Sequence, residues 1–174
     1  WGFSPAPLAF VRMWIRDNGT ELPSLYIKLL VYDTNLSVNT HNSPRNLTDI
    51  LNTRGVSKQH LILADSEDPR AINDLRQGGF SVVAVKKTSV ETSIRSFHDY
   101  TIYVVDNGKY GDIMFNELNN YMFKLHPRKD NEYLEVPAPD QPDHGIDACR
   151  YVLLSEGSRW RNPVKNKKTI DAKS

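Results

Sequence analysis

LILADSEDPRAINDLRQGGFSVVAVKK, residues 61–87, is the stretch on which the fold reading turns. His60 to Asp65 (HLILAD) is a short apolar run ending in a carboxylate. That pattern suits a strand buried on both faces, and it is expected at the centre of a sheet. Asp68-Pro69 is a good helix start, a capping side chain followed by proline in the first turn. Ile72 and Leu75 share one helical face, and Gly78-Gly79 ends the segment. Phe80 to Val85 (FSVVAV) is then a second buried-strand run, so a strand feeds a helix that feeds another strand.

Working outward, Val90 to Phe97 reads as a short helix and Thr101 to Val105 (TIYVV) as a further strand. Upstream, Asn46 to Asn52 carries Leu47, Ile50 and Leu51 at helical spacing, with Gly55 as a stop. Pro7–Arg16 and Leu25–Tyr32 are rich in β-branched, aromatic and leucine residues, and Asp17-Asn18-Gly19-Thr20 between them supplies turn chemistry, so an antiparallel hairpin is expected. Downstream, Phe115, Leu118, Met122 and Leu125 predict a helix over Met114–Leu125. The proline-containing stretch Lys129–Pro142 reads as a loop, and a last helix is expected from Asp143 to Leu154. No internal repeat is visible. Strands alternating with helices after an opening hairpin predict an α/β protein with a mixed sheet.

The chain has 174 residues, of which 39% are hydrophobic, enough for one compact domain with a sizeable core. It opens on Trp1 rather than methionine, which predicts that upstream sequence has been cut away. No apolar run approaches the roughly 20 residues that span a bilayer, so a soluble protein with no membrane partner is expected. The single cysteine, Cys149, lies in an apolar helical pattern, which fits a reducing cytoplasm and makes the Asn18, Asn35 and Asn46 sequons chance matches. Net charge is +1, but Arg159, Arg161, Lys165, Lys167, Lys168 and Lys173 crowd the C-terminus against Glu156 and Asp171. Residues 156–174 are therefore expected to form a basic flexible tail that either touches phosphates or is simply solvated.

Asp65 would sit at the carboxyl end of its strand, where open α/β sheets bind ligands. Its alternative role, capping the next helix, is better filled by Ser66 and Asp68. In DHGIDACRYVLL (residues 143–154), Ile146, Cys149 and Leu153 form a buried stripe with Asp143 and Asp147 one turn apart beside it. The repulsion between these acids is relieved if a cation lies near them, although the helix start also tolerates Asp143. Asp147, deeper in the helix, is the better metal candidate. His144 could join the same site as a ligand, proton shuttle or phosphate contact, or stand in solvent at the helix start. Arg150, three residues after Asp147, pairs with it or contacts DNA. Lys86 and Lys87 end their strand where they could reach a phosphate, or are solvated there. Carboxylates without a Cys/His cluster select Mg²⁺ or Mn²⁺, and two such ions suit phosphodiester hydrolysis. Neither a G-x-x-x-x-G-K-[ST] loop nor a G-x-S-x-G elbow is present, and Cys149 is too buried by pattern to be a nucleophile.

Four blocks in order, WGFSPAP, LILADSEDPRAINDLRQGGFSVVAVKK, NELNNYMFKL and PDHGIDACRYVLL, together resemble the C-terminal nuclease domain of tailed-phage terminase large subunits, over roughly residues 1–155. The resemblance implies an RNase H-like mixed β-sheet flanked by helices. It implies an endonuclease that cuts concatemeric viral DNA during genome packaging with two divalent metals held by an acidic triad. Asp65 matches the second acid, Asp147 the third, and His144 a histidine that some members place beside the metals. The first acid directly precedes the tryptophan-glycine in the family, so it would lie just before Trp1 and is absent from this chain. Weakened metal binding is expected here, and full activity only when an Asp precedes Trp1. The implied partners are double-stranded DNA, an ATPase domain of the same polypeptide, a small terminase subunit and a portal, in the cytoplasm of an infected host. Two competing readings are a non-catalytic RNase H-like module docking on DNA or a portal, and an RNase H-like resolvase or transposase.

Overall fold

The computed structural model describes residues 7–34, 36, 45–86, 89–129 and 132–160. Lys87 and the tail beyond Trp160 lie outside the described residues. The elements run β1 (Leu8–Arg16), β2 (Ser24–Asp33), α1 (Leu47–Thr53), β3 (Leu61–Asp65), α2 (Pro69–Gln77), β4 (Ser81–Val85), α3 (Val90–Arg95), β5 (Thr101–Val104), α4 (Lys109–Asn120), β6 (Phe123–Leu125), β7 (Tyr133–Pro137) and α5 (His144–Trp160). A 3-10 turn over Ser96–Asp99 links α3 to β5. The protein is a mixed α/β structure, as the alternation of elements predicts.

The expected hairpin forms. Asp17 accepts the Gly19 backbone N–H at 2.9 Å, and Gly19 takes φ 69°, a left-handed turn position that suits glycine. β1 and β2 pair antiparallel from Arg16 opposite Ser24 to Leu8 opposite Asp33. Between these ends Phe10 faces Val31 while Val11 faces Leu29, so Leu30 is an extra residue in β2. A bulge of this kind switches which face the following side chains use. Leu25, Ile27 and Leu29 therefore join one core cluster with Phe97, Met114, Ile146, Cys149 and Leu153. Leu30 and Val31 join the other, with Leu47, Leu51, Ile62, Leu75, Phe80 and Val82. β5 adds to the far side of β2 in parallel, Ser24 opposite Thr101 through Ile27 opposite Val104. Trp14, Tyr26 and Tyr103 stack across these three strands with centroids 5.4 and 5.1 Å apart.

β2, not β3, is thus the strand with a partner on each side. β3 pairs in parallel with β4, Leu61 opposite Ser81 through Asp65 opposite Val85, and among the described residues it has no second ladder. The burial expected for both runs on both faces fails. Ile62 and Val82 are buried, whereas Leu61 is 46% and Val83 47% exposed. The reason is coverage: Ile62 and Val82 face the cluster built by α1 and α2, and the alternate side chains point away from it.

The fourth helix also starts and ends earlier than its apolar spacing predicts. Asp106 accepts the Gly108 N–H at 3.0 Å, and α4 begins at Lys109 with Met114 and Glu117 on its buried face. The Gln141 side chain bonds both the N–H (2.9 Å) and the C=O (3.0 Å) of Met122, holding that residue outside the helix. Leu125 then falls in β6, which pairs antiparallel with β7 inside the stretch expected to be loop. Met122 and Leu125 are 61% and 59% exposed, so their helical spacing is not a core face. α5 begins where expected and continues past Leu154 to Trp160. Among the described residues no helix is long and apolar enough to cross a membrane.

Candidate functional site

A cavity of about 890 Å³ opens between β1 and β3. Its walls include Pro7 to Trp14 along one side, His60 to Asp65 along the other, and Asp68, His144, Asp147, Ala148, Tyr151 and Val152. Asp65, His144 and Asp147, singled out by residue type and position, are therefore brought to one place from β3 and α5.

Asp65 ends β3, and both of its carboxylate oxygens accept hydrogen bonds. Oδ1 accepts the Glu67 N–H at 2.9 Å, and Oδ2 accepts the Tyr151 hydroxyl at 2.9 Å. Capping of α2 falls to Asp68, which accepts the Ala71 N–H at 3.1 Å. Burial, then the hydrogen bond to Asp65 and the charges of Asp65 and Asp147, push the Tyr151 phenol pKa upward against the pull of Arg150. Asp68 is likewise pushed up, first by burial and then by Asp65, against the pull of its capping bonds.

Asp147 sits one turn into α5, its N–H bonded to the Asp143 carbonyl at 2.8 Å. Arg150 pairs with its Oδ1, as the i, i+3 spacing predicts. The Arg150 side chain is 11% exposed and also donates to Ser93 Oγ at 2.6 Å, which leaves it poorly placed to reach a phosphate. Asp143 is not among the cavity-lining residues, but its carboxyl is raised by burial and by Asp147. His144 lines the cavity with its ring 6.2 Å from that of Tyr32. Tyr32 pairs with Ala9, so this contact sets the start of α5 beside the start of β1. Lys86 is exposed and follows Val85, which pairs with Asp65 and accepts the Ser66 N–H at 3.1 Å, so it lies at the Asp65 end of the β3–β4 pair.

Two groups at the site carried no sequence signal that the spacing analysis used. Tyr151 stands four residues after Asp147, a same-face position that could have been read from DACRY. Glu117 could not. It is 2% exposed on α4, and its Oε2 accepts the Gly145 and Ile146 N–H groups at 2.8 and 3.1 Å, capping α5 from another helix. A Cβ on Gly145 would lie 2.8 Å from that oxygen, so a larger residue there would have to displace the Glu117 carboxylate from its cap. Burial pushes the Glu117 carboxyl up despite its hydrogen bonds. Cys149 is fully buried and its thiol is pushed up by burial, in keeping with an inert core residue.

For a hard cation, the donor chemistry fits and the donor number falls short. Asp65 and Asp147 offer carboxylate oxygens to one cavity. Among the described residues, however, no group of three or more His, Cys, Asp or Glu could hold a metal ion. Comparison with protein-family models, with known proteins and with solved structures returns no match.

Proposed function

We propose that this chain is the nuclease module of a tailed-phage terminase large subunit, an RNase H-like endonuclease that cuts concatemeric viral DNA. The observation that supports this most is the convergence of Asp65 from β3 with Asp147 and His144 from α5 on one cavity, where Tyr151 of α5 also donates its hydroxyl to Asp65. Carboxylates converging on one cavity are the kind of ligands that hold the metal ions of phosphodiester hydrolysis. Mg²⁺ or Mn²⁺, two ions in all, held by Asp65, Asp147 and one more carboxylate would neutralise charge on the scissile phosphate, with Asp143 a further candidate ligand. The third carboxylate is the Asp that the resemblance puts directly before Trp1. Double-stranded DNA is the substrate, with Lys86 at the Asp65 end as a phosphate contact. An ATPase domain on the same polypeptide, a small terminase subunit and a portal are the expected partners, in the host cytoplasm.

Supercoiled-plasmid cleavage with Mn²⁺ or Mg²⁺ tests the reading. The chain as it stands, a version carrying an Asp-ended N-terminal extension, and Asp65→Ala and Asp147→Ala within the extended version are compared. Cleavage by the extended chain that either substitution abolishes is the expected result. An inactive extended chain, or alanine variants that cut normally, overturns it. The pairing of Asp147 with Arg150, which already compensates one carboxylate, then favours a non-catalytic module that docks on DNA or a portal. Preferential cleavage of branched substrates would instead indicate a resolvase or transposase.

A further inference from the structure

At its hairpin end the β1–β2–β5 sheet has two unlike faces. Val11, Met13 and Ile15 pack on the core cluster that contains Leu25 and Ile27. Side chains alternate along a strand and directly paired residues share a face, so Arg12, Trp14 and Arg16 of β1, Tyr26 and Lys28 of β2, and Tyr103 of β5 lie together on the opposite face. Neither core cluster includes any of these six, and Trp14, Arg16 and Tyr103 are exposed. The rings form a row: Trp14 stacks on Tyr26 at 5.4 Å and 6°, and Tyr26 on Tyr103 at 5.1 Å and 18°. Carbon atoms in contact stand about 3.5–4 Å apart, so at these centroid distances neighbouring rings are slipped by roughly 3–4 Å and each covers only part of the next. β1 and β5 are the outer strands of this sheet among the described residues, so Trp14 and Tyr103 each turn a further ring face away from the row.

Charge on this face has one sign. Arg12 stands directly opposite Lys28, and like charges in that position repel. Arg12 also donates to the Gly55 carbonyl at 3.4 Å, a partner with no charge to offset the guanidinium. Lys28 is on the central strand, where no edge needs a cation to guard it. Arg16 lies on the other side of the aromatic row, and the hairpin acids Asp17 and Glu21 fall in the turn beyond it. We propose that this face binds single-stranded nucleic acid, with unpaired bases stacking on Trp14 and Tyr103 and phosphates held by Arg12, Lys28 and Arg16. A phosphate between Arg12 and Lys28 relieves their repulsion, and stacking rings between cations are the combination that single strands use. Bases in a duplex have their faces covered by neighbouring pairs, so a duplex meets the cations and gains little from the rings. Trp14 and Arg12 also line the cavity that holds Asp65 and Asp147, which places a bound strand beside those acids. No carboxylate belongs to the face itself, so binding is measured in EDTA, and its failure is distinguishable from failure of the nuclease reading.

Fluorescence anisotropy with the full chain tests it, using labelled oligothymidylate and oligouridylate of about twelve nucleotides and a blunt duplex of the same length. At least one of the single strands should bind about tenfold or more tighter than the duplex. Three phosphate contacts give a slope near about −2 for log affinity against log salt. Trp14→Ala and Tyr103→Ala should each weaken single-strand binding by about tenfold. Arg16→Glu, at an exposed position that leaves the fold intact, should weaken it and make the salt slope shallower, whereas Lys124→Glu on β6 should leave it unchanged. Trp14→Phe keeps a ring and should still bind, yet lose most of the tryptophan quenching that the oligomer causes in the unaltered chain. Equal affinity for single strands and duplex overturns the proposal, as does unchanged binding in both alanine variants. Equal losses from Arg16→Glu and Lys124→Glu also overturn it, since the attraction is then diffuse charge. So does a dimer that Trp14→Ala dissociates in sedimentation without nucleic acid, because a second copy then covers the face.

Discussion

β2 and β3 begin from similar material, LYIKLLVY and HLILAD, and end in opposite circumstances. β2 has a ladder on each side and a core cluster on each face, with Leu25, Ile27 and Leu29 fully buried. Among the described residues β3 has one ladder, a cavity along its other edge, and Leu61 46% exposed. An apolar run records a capacity for burial; neighbouring strands and helices decide whether it is used. The bulge at Leu30 sharpens the point, because one extra residue lets a single strand serve both clusters.

The largest expected effect separates the two regions directly. Leu29→Ala should cost on the order of 2–5 kcal/mol, the range for truncating a close-packed core leucine, whereas Val83→Ala should cost under about 0.5 kcal/mol. Equal urea midpoint shifts for the two would break the comparison. Next comes the buried polar contact on the β2 side. Glu117→Ala orphans the Gly145 and Ile146 N–H groups and should cost roughly 2–3 kcal/mol, while Glu117→Gln keeps an acceptor and should cost far less. Similar losses for both variants would mean that Oε2 does not cap α5.

On the β3 side, Tyr151→Phe removes the hydroxyl bond from α5 to Asp65 at the end of β3, and a loss of about 1 kcal/mol in chemical denaturation is expected. No change in stability would indicate that the Tyr151 hydroxyl does not hold Asp65 in place. The smallest effect is in pH dependence. Glu117 and Asp143 have carboxyls raised in the folded state, so each favours folding while protonated and loses that contribution as pH rises from the ordinary carboxylate range through its raised value. Stability should therefore decline with rising pH over this window to the extent that these two groups control it. Asp143→Asn and Glu117→Gln should each flatten that decline, and an unaltered slope in melting temperature against pH would reject the assignment.

Several features were legible in the chain itself. Asp68-Pro69 and Gly78 bound α2 because capping and φ restriction act within a few residues. The Asp17–Gly19 turn closes the β1–β2 hairpin by contacts two residues apart. Asp65 was identifiable as a strand-end acid, and Asp147 and His144 as neighbours on a helix, since each statement needs only local periodicity. Other features were decided elsewhere. Gln141 withdraws Met122 from α4, Glu117 caps a helix whose first residues lie far along the chain, and Tyr151 reaches Asp65 across the gap between α5 and β3. Residue pattern determines which elements form and which side chains stand at their ends, because those are short-range properties of backbone and spacing. Which strand becomes central, which apolar faces are covered and which acids meet depend on contacts between distant segments, and only the tertiary structure decides those.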